Sequence, residues 1–248
     1  CDNLCEIKNL RVSGRPYPFG GRCSKYTNAR KKKKIREKDY VDHTAERHKM
    51  IFEQFCPDPD TLVQRKSEVV GVPLAMSVHT LWPLYAWFFH HLGVRTQLST
   101  EVSPEGIARL ESNYCYPIEI AHGALQNVLD QGVDRVFLPH FRDMPSMEAG
   151  EVHACTCPLT QGLPYIARHA FGLADETVLR PVVSFKHGWD SSKPAFVDVA
   201  RQLGFEDFDG ERAFDAALVQ FQRFTAAYRA RGEALMAEIE ANPDRVYV

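Results

Sequence analysis

Residues 69–98 read VVGVPLAMSVHTLWPLYAWFFHHLGVRTQL. Val69–Val72 is a short apolar run of the length of a buried strand. Leu81–Leu92 is too long and too aromatic for a strand and reads as a buried helix, with Gly93 placed to end it in a left-handed turn. Thr96–Leu98 then supplies a second strand. A strand, a helix and a strand in so short a span imply two parallel strands joined by a right-handed crossover.

The alternation continues downstream. Ser103-Pro104-Glu105 carries a cap, a proline and an acid in the order that starts a helix. Ile118–Leu129 reads as a third helix ended by Gly132, Arg135–Leu138 as a third strand, Leu163–Phe171 as a helix, and Val182–Phe185 as a fourth strand. Glu211–Ala241 is a long helix with Phe214, Leu218, Phe221, Phe224, Tyr228, Leu235 and Ile239 at helical spacing. The fold class expected is α/β: a doubly wound parallel sheet of the flavodoxin or Rossmann kind, a small cysteine-rich N-terminal module, and a long C-terminal helix. Residues 1–30 are the cysteine-rich module, 31–66 a basic helical linker that Cys56-Pro57-Asp58-Pro59 terminates, and 67–248 the α/β domain.

Asp244–Val248 looks like the start of another strand, and the chain does not begin with Met. Both features lead to the expectation of a piece of a longer polypeptide, cut before a second α/β domain. In such a piece the sheet edge beside Val246–Val248 stays open, and the long helix keeps part of its apolar face uncovered. Self-association, or a neighbouring domain on that edge, is the expected result.

Composition narrows the class. With 44% hydrophobic and 25% charged residues the chain matches an ordinary soluble protein. No apolar run reaches the roughly 20 residues of a membrane span, and no secretory signal is visible, so a cytoplasmic location is expected. Residues 1–50 carry 14 Lys/Arg against 6 Asp/Glu, and the remainder 16 against 26, which concentrates positive charge near Lys31–Lys34. That run is read as a solvated face; without interleaved aromatics it gives nucleic-acid binding little support. There is no Gly-x-Gly-x-x-Gly, no phosphate-binding loop and no nucleophile elbow.

The cysteines carry the chemistry. Cys115, in Tyr114-Cys115-Tyr116-Pro117, and Cys157, in Cys155-Thr156-Cys157-Pro158, stand where proline marks a helix's first turn. A helix N-terminus stabilises a thiolate, and thiolates hold soft metals and iron–sulfur clusters. His140, Cys155 and Cys157 fall in the loop leaving the third strand, at the edge where open α/β sheets bind ligands. The competing reading is that Cys115 and Cys157 are small buried hydrophobes. Cys1, Cys5 and Cys23 form a second set in a glycine-rich segment too short for its own core, as small metal-stabilised modules are. Seven cysteines are an odd number, which argues against a full disulfide framework. Cys56, followed by Pro-Asp-Pro-Asp, has acidic neighbours that disfavour its thiolate. His79, His90, His91 and His122 are read as core or rim residues.

The strings Gly71-Val72-Pro73-Leu74-Ala75-Met76-Ser77, Leu81-Trp82-Pro83-Leu84 and Phe88-Phe89-His90-His91-Leu92-Gly93-Val94 have a counterpart in a known family. So do Cys115-Tyr116-Pro117-Ile118-Glu119-Ile120-Ala121-His122-Gly123, Val136-Phe137-Leu138-Pro139, and Cys157-Pro158 with Gly162-Leu163-Pro164. The chain resembles the 2-hydroxyacyl-CoA dehydratase component family, in the portion found in large acyl-CoA dehydratase activase proteins. Residues 1–23 resemble the cysteine-rich connector that precedes this domain.

The resemblance implies a [4Fe–4S] or double-cubane cluster held by cysteines at the ends of flavodoxin-like strands. An ATP-hydrolysing activator domain or subunit supplies low-potential electrons, a second α/β domain shares the pocket, and acyl-CoA is the substrate class. In the dehydratases one electron converts the acyl-CoA thioester to a ketyl radical that expels a hydroxyl group. Cys115 and Cys157 match cluster ligands, with Cys155 a third candidate. Where dehydratase subunits commonly place a ligand after the third strand this chain has Pro139-His140, which brings His140 into the candidate set and leaves the ligand count open. The aromatic residues of Trp82–Phe89 are either core or a shield for a radical. On this resemblance the chain is part of a lyase or reductase system, or of its activase. The alternative is a non-catalytic zinc-binding interaction module, with zinc on Cys1, Cys5 and Cys23 and the basic stretch on an anionic partner.

Overall fold

The computed structural model describes residues 7–19, 40–112, 115–145, 154–242 and 246–247. Two compact units divide the chain: residues 1–43 with 239–248, and residues 44–238.

In the first unit, Lys8–Val12 (β1) and Arg15–Phe19 (β2) form an antiparallel hairpin. Ser13 and Gly14 turn it with φ of 50° and 77°, the positive pair that matches strand twist in a two-residue loop. Tyr40–Val41 (β3) pairs in parallel with Val246–Tyr247, and His43 stacks on Tyr247 at 5.8 Å. The strand expected near Asp244–Val248 is thus present and paired with β3, where an open edge was expected beside it. Cys1, Cys5 and Cys23 lie outside the described residues; what is described of the expected cysteine-rich module is the hairpin, which contains no cysteine.

The second unit is the α/β body. His43–Lys49 (α1) leads into a π turn over Met50–Gln54. Then follow Val69–Val72 (β4), Val78–Leu92 (α2), Arg95–Leu98 (β5), Pro104–Ala108 (α3), Tyr116–Asp130 (α4), Arg135–Phe137 (β6), His140–Asp143 (β7), Pro158–Phe171 (α5), Val178–Leu179 (β8), Val182–Ser184 (β9), Lys193–Gln202 (α6) and Asp207–Ala241 (α7). The central sheet is parallel throughout, in the order β5-β4-β6-β8. That is the 2-1-3-4 run of a flavodoxin-type sheet, and no fifth strand extends it among the described residues.

Strand alternation distributes two cores over its two faces. Val70, Val72, Phe137 and Leu179 face Leu81, Phe88, Phe196 and Phe214 of α2, α6 and α7. Val136, Leu138 and Val178 face Ile118, Leu125, Val128 and Leu163 of α4 and α5. Gly71 sits on the second face because it must: a methyl there would stand 2.8 Å from Val133 Cγ2 and closer still to Val128. Gly93 ends α2 at φ 73° and lets its N–H reach His90 O and Phe89 O. Pro83 inside α2 cannot donate to His79 O, and Arg47 Nη2 donates to that carbonyl instead at 2.8 Å.

The structure departs from the sequence reading after β6. The fourth strand of the central sheet is Val178–Leu179; Val182–Ser184 pairs instead with His140–Asp143. The two ladders share one register, since Val136 pairs with Val178 and His140 with Val182. Leu138 N–H donates to Leu179 O and His140 N–H to Pro181 O, both at 2.9 Å, so the pairing runs on past the prolines. Pro139 turns its nitrogen toward β4, which has already ended, so no rung is lost there. Helix α6 was not visible as a separate segment, and α7 starts before Glu211. In α7, Phe214, Phe221 and Phe224 are buried, Leu218, Leu235 and Ile239 are partly so, and Tyr228 is exposed.

Gly71→Ala is expected to lower stability by about 1–3 kcal/mol, since the added methyl would overlap the Val128 and Val133 side chains. A lower urea midpoint at unchanged slope checks it.

Candidate functional site

Helices α4 and α5 share one core on one face of the central sheet; α4 comes after β5, and Thr160 in the first turn of α5 meets Met76 in the loop after β4, so both N-termini are assigned to the sheet's carboxyl edge. Cys115 is the N-cap of α4: its backbone is extended (φ −162°, ψ 153°) and its carbonyl accepts from Ile118 N–H at 3.2 Å. Cys157 is the N-cap of α5, its carbonyl accepting from Gln161 N–H at 3.1 Å. Pro117 and Pro158 fill the first turns, which need no N–H from them. Neither thiol makes a capping hydrogen bond. Cys115 is half-buried against the α4/α5 core, and Cys157 is exposed.

The other two candidates sit differently from expectation. His140 is in strand β7, not in a loop, because the chain stays paired beyond Pro139. Phe141 enters the α2/α7 core, so His140 takes the opposite face, where its Nδ1 lies 3.2 Å from the Tyr165 hydroxyl of α5. The Arg180 guanidinium covers the Tyr165 ring at 5.6 Å. Cys155 lies on a short return segment: Met144 N–H donates to Ala154 O, Thr156 N–H to Arg142 O, and Cys155 bridges antiparallel to Asp143. Its side chain is exposed.

Sequence reasoning missed the residue that holds this edge together. A register shift between Phe141 and Asp143 turns Asp143 inward, where it is 3% exposed. Its carboxylate accepts from Ser184 Oγ at 2.8 Å, Lys186 N–H at 2.8 Å and Arg142 Nε at 2.9 Å. Burial alone would raise its pKa, but these donors together hold it below the usual carboxylate range. Ser192 completes the corner, its hydroxyl accepting from Ser184 N–H and donating to Ser184 O. The available signal was an apolar run, Val136–Leu138, resuming at Phe141 across a proline.

Three further residues mark the surroundings. Met76, in the loop after β4, holds φ 51°, a strained conformation for a residue with a side chain. Thr160, one turn into α5 from Cys157, points its hydroxyl at the Met76 sulfur, 3.9 Å away. His122 is fully buried in α4; its Nδ1 donates to Ile118 O at 2.8 Å while Nε2 has no partner, and burial lowers its pKa. Trp82, Tyr85, Phe88 and Phe89 pack in the α2/α6/α7 core, on the face of the sheet away from Cys115. They are therefore core residues rather than a shield. Cys56 donates to Ile51 O at 2.8 Å, and its pKa is pushed up to about 12. The cause is burial, not the acidic neighbours expected from sequence, and a Trp82 hydrogen bond opposes it.

Among the described residues no group of three or more His, Cys, Asp or Glu side chains is gathered as a metal site. Of the described thiols, Cys115 and Cys157 stand at two helix starts. No helix among the described residues is long and apolar enough to cross a membrane. The family described as CoA enzyme activase uncharacterised domain (DUF2229) matches residues 69–248. No curated protein and no solved structure matches the chain.

Asp143→Ala is expected to cost about 2–3 kcal/mol, because Ser184 and the Lys186 N–H lose a charged acceptor in a buried corner. The folded pKa is depressed, so this stabilisation is present above about pH 4 and fades as pH falls through the folded value. The stability gap between wild type and variant, from denaturant titrations, should therefore narrow in acid. Native-state alkylation at mildly alkaline pH should modify Cys155 and Cys157 and spare Cys56, as peptide mass mapping would show.

Proposed function

The chain belongs to the CoA enzyme activase family whose domain covers residues 69–248, and on that premise we propose that it supplies part of an iron–sulfur site in a low-potential electron-transfer system of the 2-hydroxyacyl-CoA dehydratase type. In this reading it works with a dehydratase-type enzyme and with an ATP-hydrolysing activator domain or subunit, and a second α/β domain completes the pocket. The observation that carries the reading is the pair of cysteines, Cys115 and Cys157, each capping one of two adjacent helices at the same sheet edge.

A bound cluster supplies one-electron transfer at low potential, as neither thiols nor imidazoles do alone. What this chain contributes is placement. The backbone N–H groups of the first turns of α4 and α5 point toward the edge and favour a negatively charged group there. Cys115, half-buried against the α4/α5 core, is the water-poor side of the pair, and Cys157 the open side. Asp143 fixes the strand that carries His140 and Arg142, and the Tyr165 hydroxyl orients His140. A pocket with only two ligands from this domain leaves positions for a partner domain and for substrate oxygen.

Anaerobic reconstitution of the chain with iron and sulfide, followed by metal and sulfide analysis, tests the reading. Cys115→Ser and Cys157→Ser are expected to abolish retention of the cluster and its broad visible absorption, while Cys56→Ser leaves both unchanged. Equal loss in the Cys56 variant, or retention in both cap variants, would overturn it.

A further inference from the structure

A cavity of about 920 Å³ lies beside β5, away from Cys115 and Cys157. Its inner wall is the edge strand itself: no strand pairs with the outer side of β5 among the described residues. The parallel ladder uses alternate residues, and Ser99 N–H donates to Val72 O. The same parity turns Gln97 toward β4 and directs the backbone groups of Thr96 and Leu98 outward, into the groove. At the near end Arg65 N–H closes the edge by donating to Gly93 O at 2.8 Å, and beyond that point the edge is open. The Gln97 side chain reaches only the Leu98 carbonyl, at 3.2 Å.

The floor is apolar. Phe52, Cys56 and Leu98 are partly buried residues on the margin of the α2/α7 core, and Trp82 and Ala86 continue that surface under the cavity. The outer wall is held in place: Trp87 Nε1 donates to Phe55 O at 2.8 Å, and Asp58 accepts from Asp60 N–H at 3.0 Å. Three carboxylates, Glu53, Asp58 and Asp60, stand around the opening against one guanidinium, Arg95. His90 adds no positive charge near neutrality, since burial lowers its pKa. Outward-facing strand backbone and an apolar floor for alternate side chains are what a sheet edge needs to take up an extended chain, and the negative rim favours a basic one. The rim disfavours phosphate-bearing ligands such as a coenzyme A moiety.

We propose that this groove docks an extended, basic segment of a partner protein, which adds to the sheet as a strand outside β5. The four residues of β5 run roughly 13 Å at about 3.3 Å each, enough for a short strand with alternate side chains over Phe52 and Leu98. Its lysines or arginines would face Glu53, Asp58 and Asp60. The inference requires neither Cys115 nor Cys157, and its test has no metal readout.

The test uses the whole chain, isotopically labelled, with two synthetic probes: the blocked hexapeptide Lys-Val-Lys-Val-Lys-Val and its counterpart Glu-Val-Glu-Val-Glu-Val. The basic peptide at millimolar concentration is expected to slow amide exchange at Thr96 and Leu98 by about tenfold or more. The acidic one is expected to leave both rates unchanged. Thr96→Pro removes an outward N–H without touching the ladder to β4 and should abolish the protection of Leu98. Should that variant not fold, Glu53→Gln with Asp60→Asn decides: it should weaken the basic peptide about fivefold and flatten its salt dependence. Equal response to both peptides, binding that leaves Thr96 and Leu98 unprotected, or no binding to either would overturn the proposal. So would a small neutral molecule that fills the groove and excludes the peptide without strand-type protection.

Discussion

Strands β6 and β8 have no polar face, and the architecture of the 44–238 unit follows from that. Val136 and Phe137 point to opposite sides of the sheet, as do Val178 and Leu179, and all four are buried. A parallel pair apolar on both sides must be covered twice. Helices α4 and α5 take one face and α2, α6 and α7 the other, and this sets where each helix can begin. Because the strands are parallel, every helix that follows one starts at the carboxyl edge. Two of those starts carry cysteine. The coincidence of thiols and helix N-termini is thus a product of topology plus two residues, with no local motif needed.

The face covered by α2, α6 and α7 is the heavier one. Phe88, Phe137, Phe196 and Phe214 pack ring against ring at centroid distances between 4.9 and 6.4 Å, a mutually locked aromatic layer. It absorbs most of the aromatic residues of α2 and leaves the α4/α5 side built from smaller residues: Ala75, Ala121, Ala167 and Gly71. Smaller residues bring α4 close to the sheet. Bulk on one side and close approach on the other divide labour between anchoring the sheet and positioning an edge.

Much of this was legible before any coordinates. Val69–Val72, the Gly93 helix stop, the Ser103-Pro104 start and the proline-marked caps at Cys115 and Cys157 are local signals, and each appears where its chemistry requires. What was not legible depends on pairing. Pro139 reads as the end of a strand, yet the strand continues, because a proline whose nitrogen faces an already finished neighbour breaks nothing. His140 consequently moves from loop to strand, and Asp143, an unremarkable acid in a polar string, becomes the buried centre of a corner. Val178–Leu179 is too short to announce itself; only its partner β6 makes it a strand. The direction of the Cys56 shift followed from the acids beside it, but its cause lay in a packing contact that no spacing rule reveals.

Pro181 differs from Pro139 in one respect. It sits on the ladder side, its carbonyl accepting from His140 N–H, so its missing N–H deprives Leu138 O of a rung. The part beyond it, carrying His140, Arg142 and Asp143, is held by its own ladder to β9 and by side chains: the Asp143 carboxylate, Ser184, Ser192 and Thr156. The ladder is thus unbroken where it bears the two cores and one rung short where it meets the outer corner, and there buried side chains take over part of the work that backbone does elsewhere.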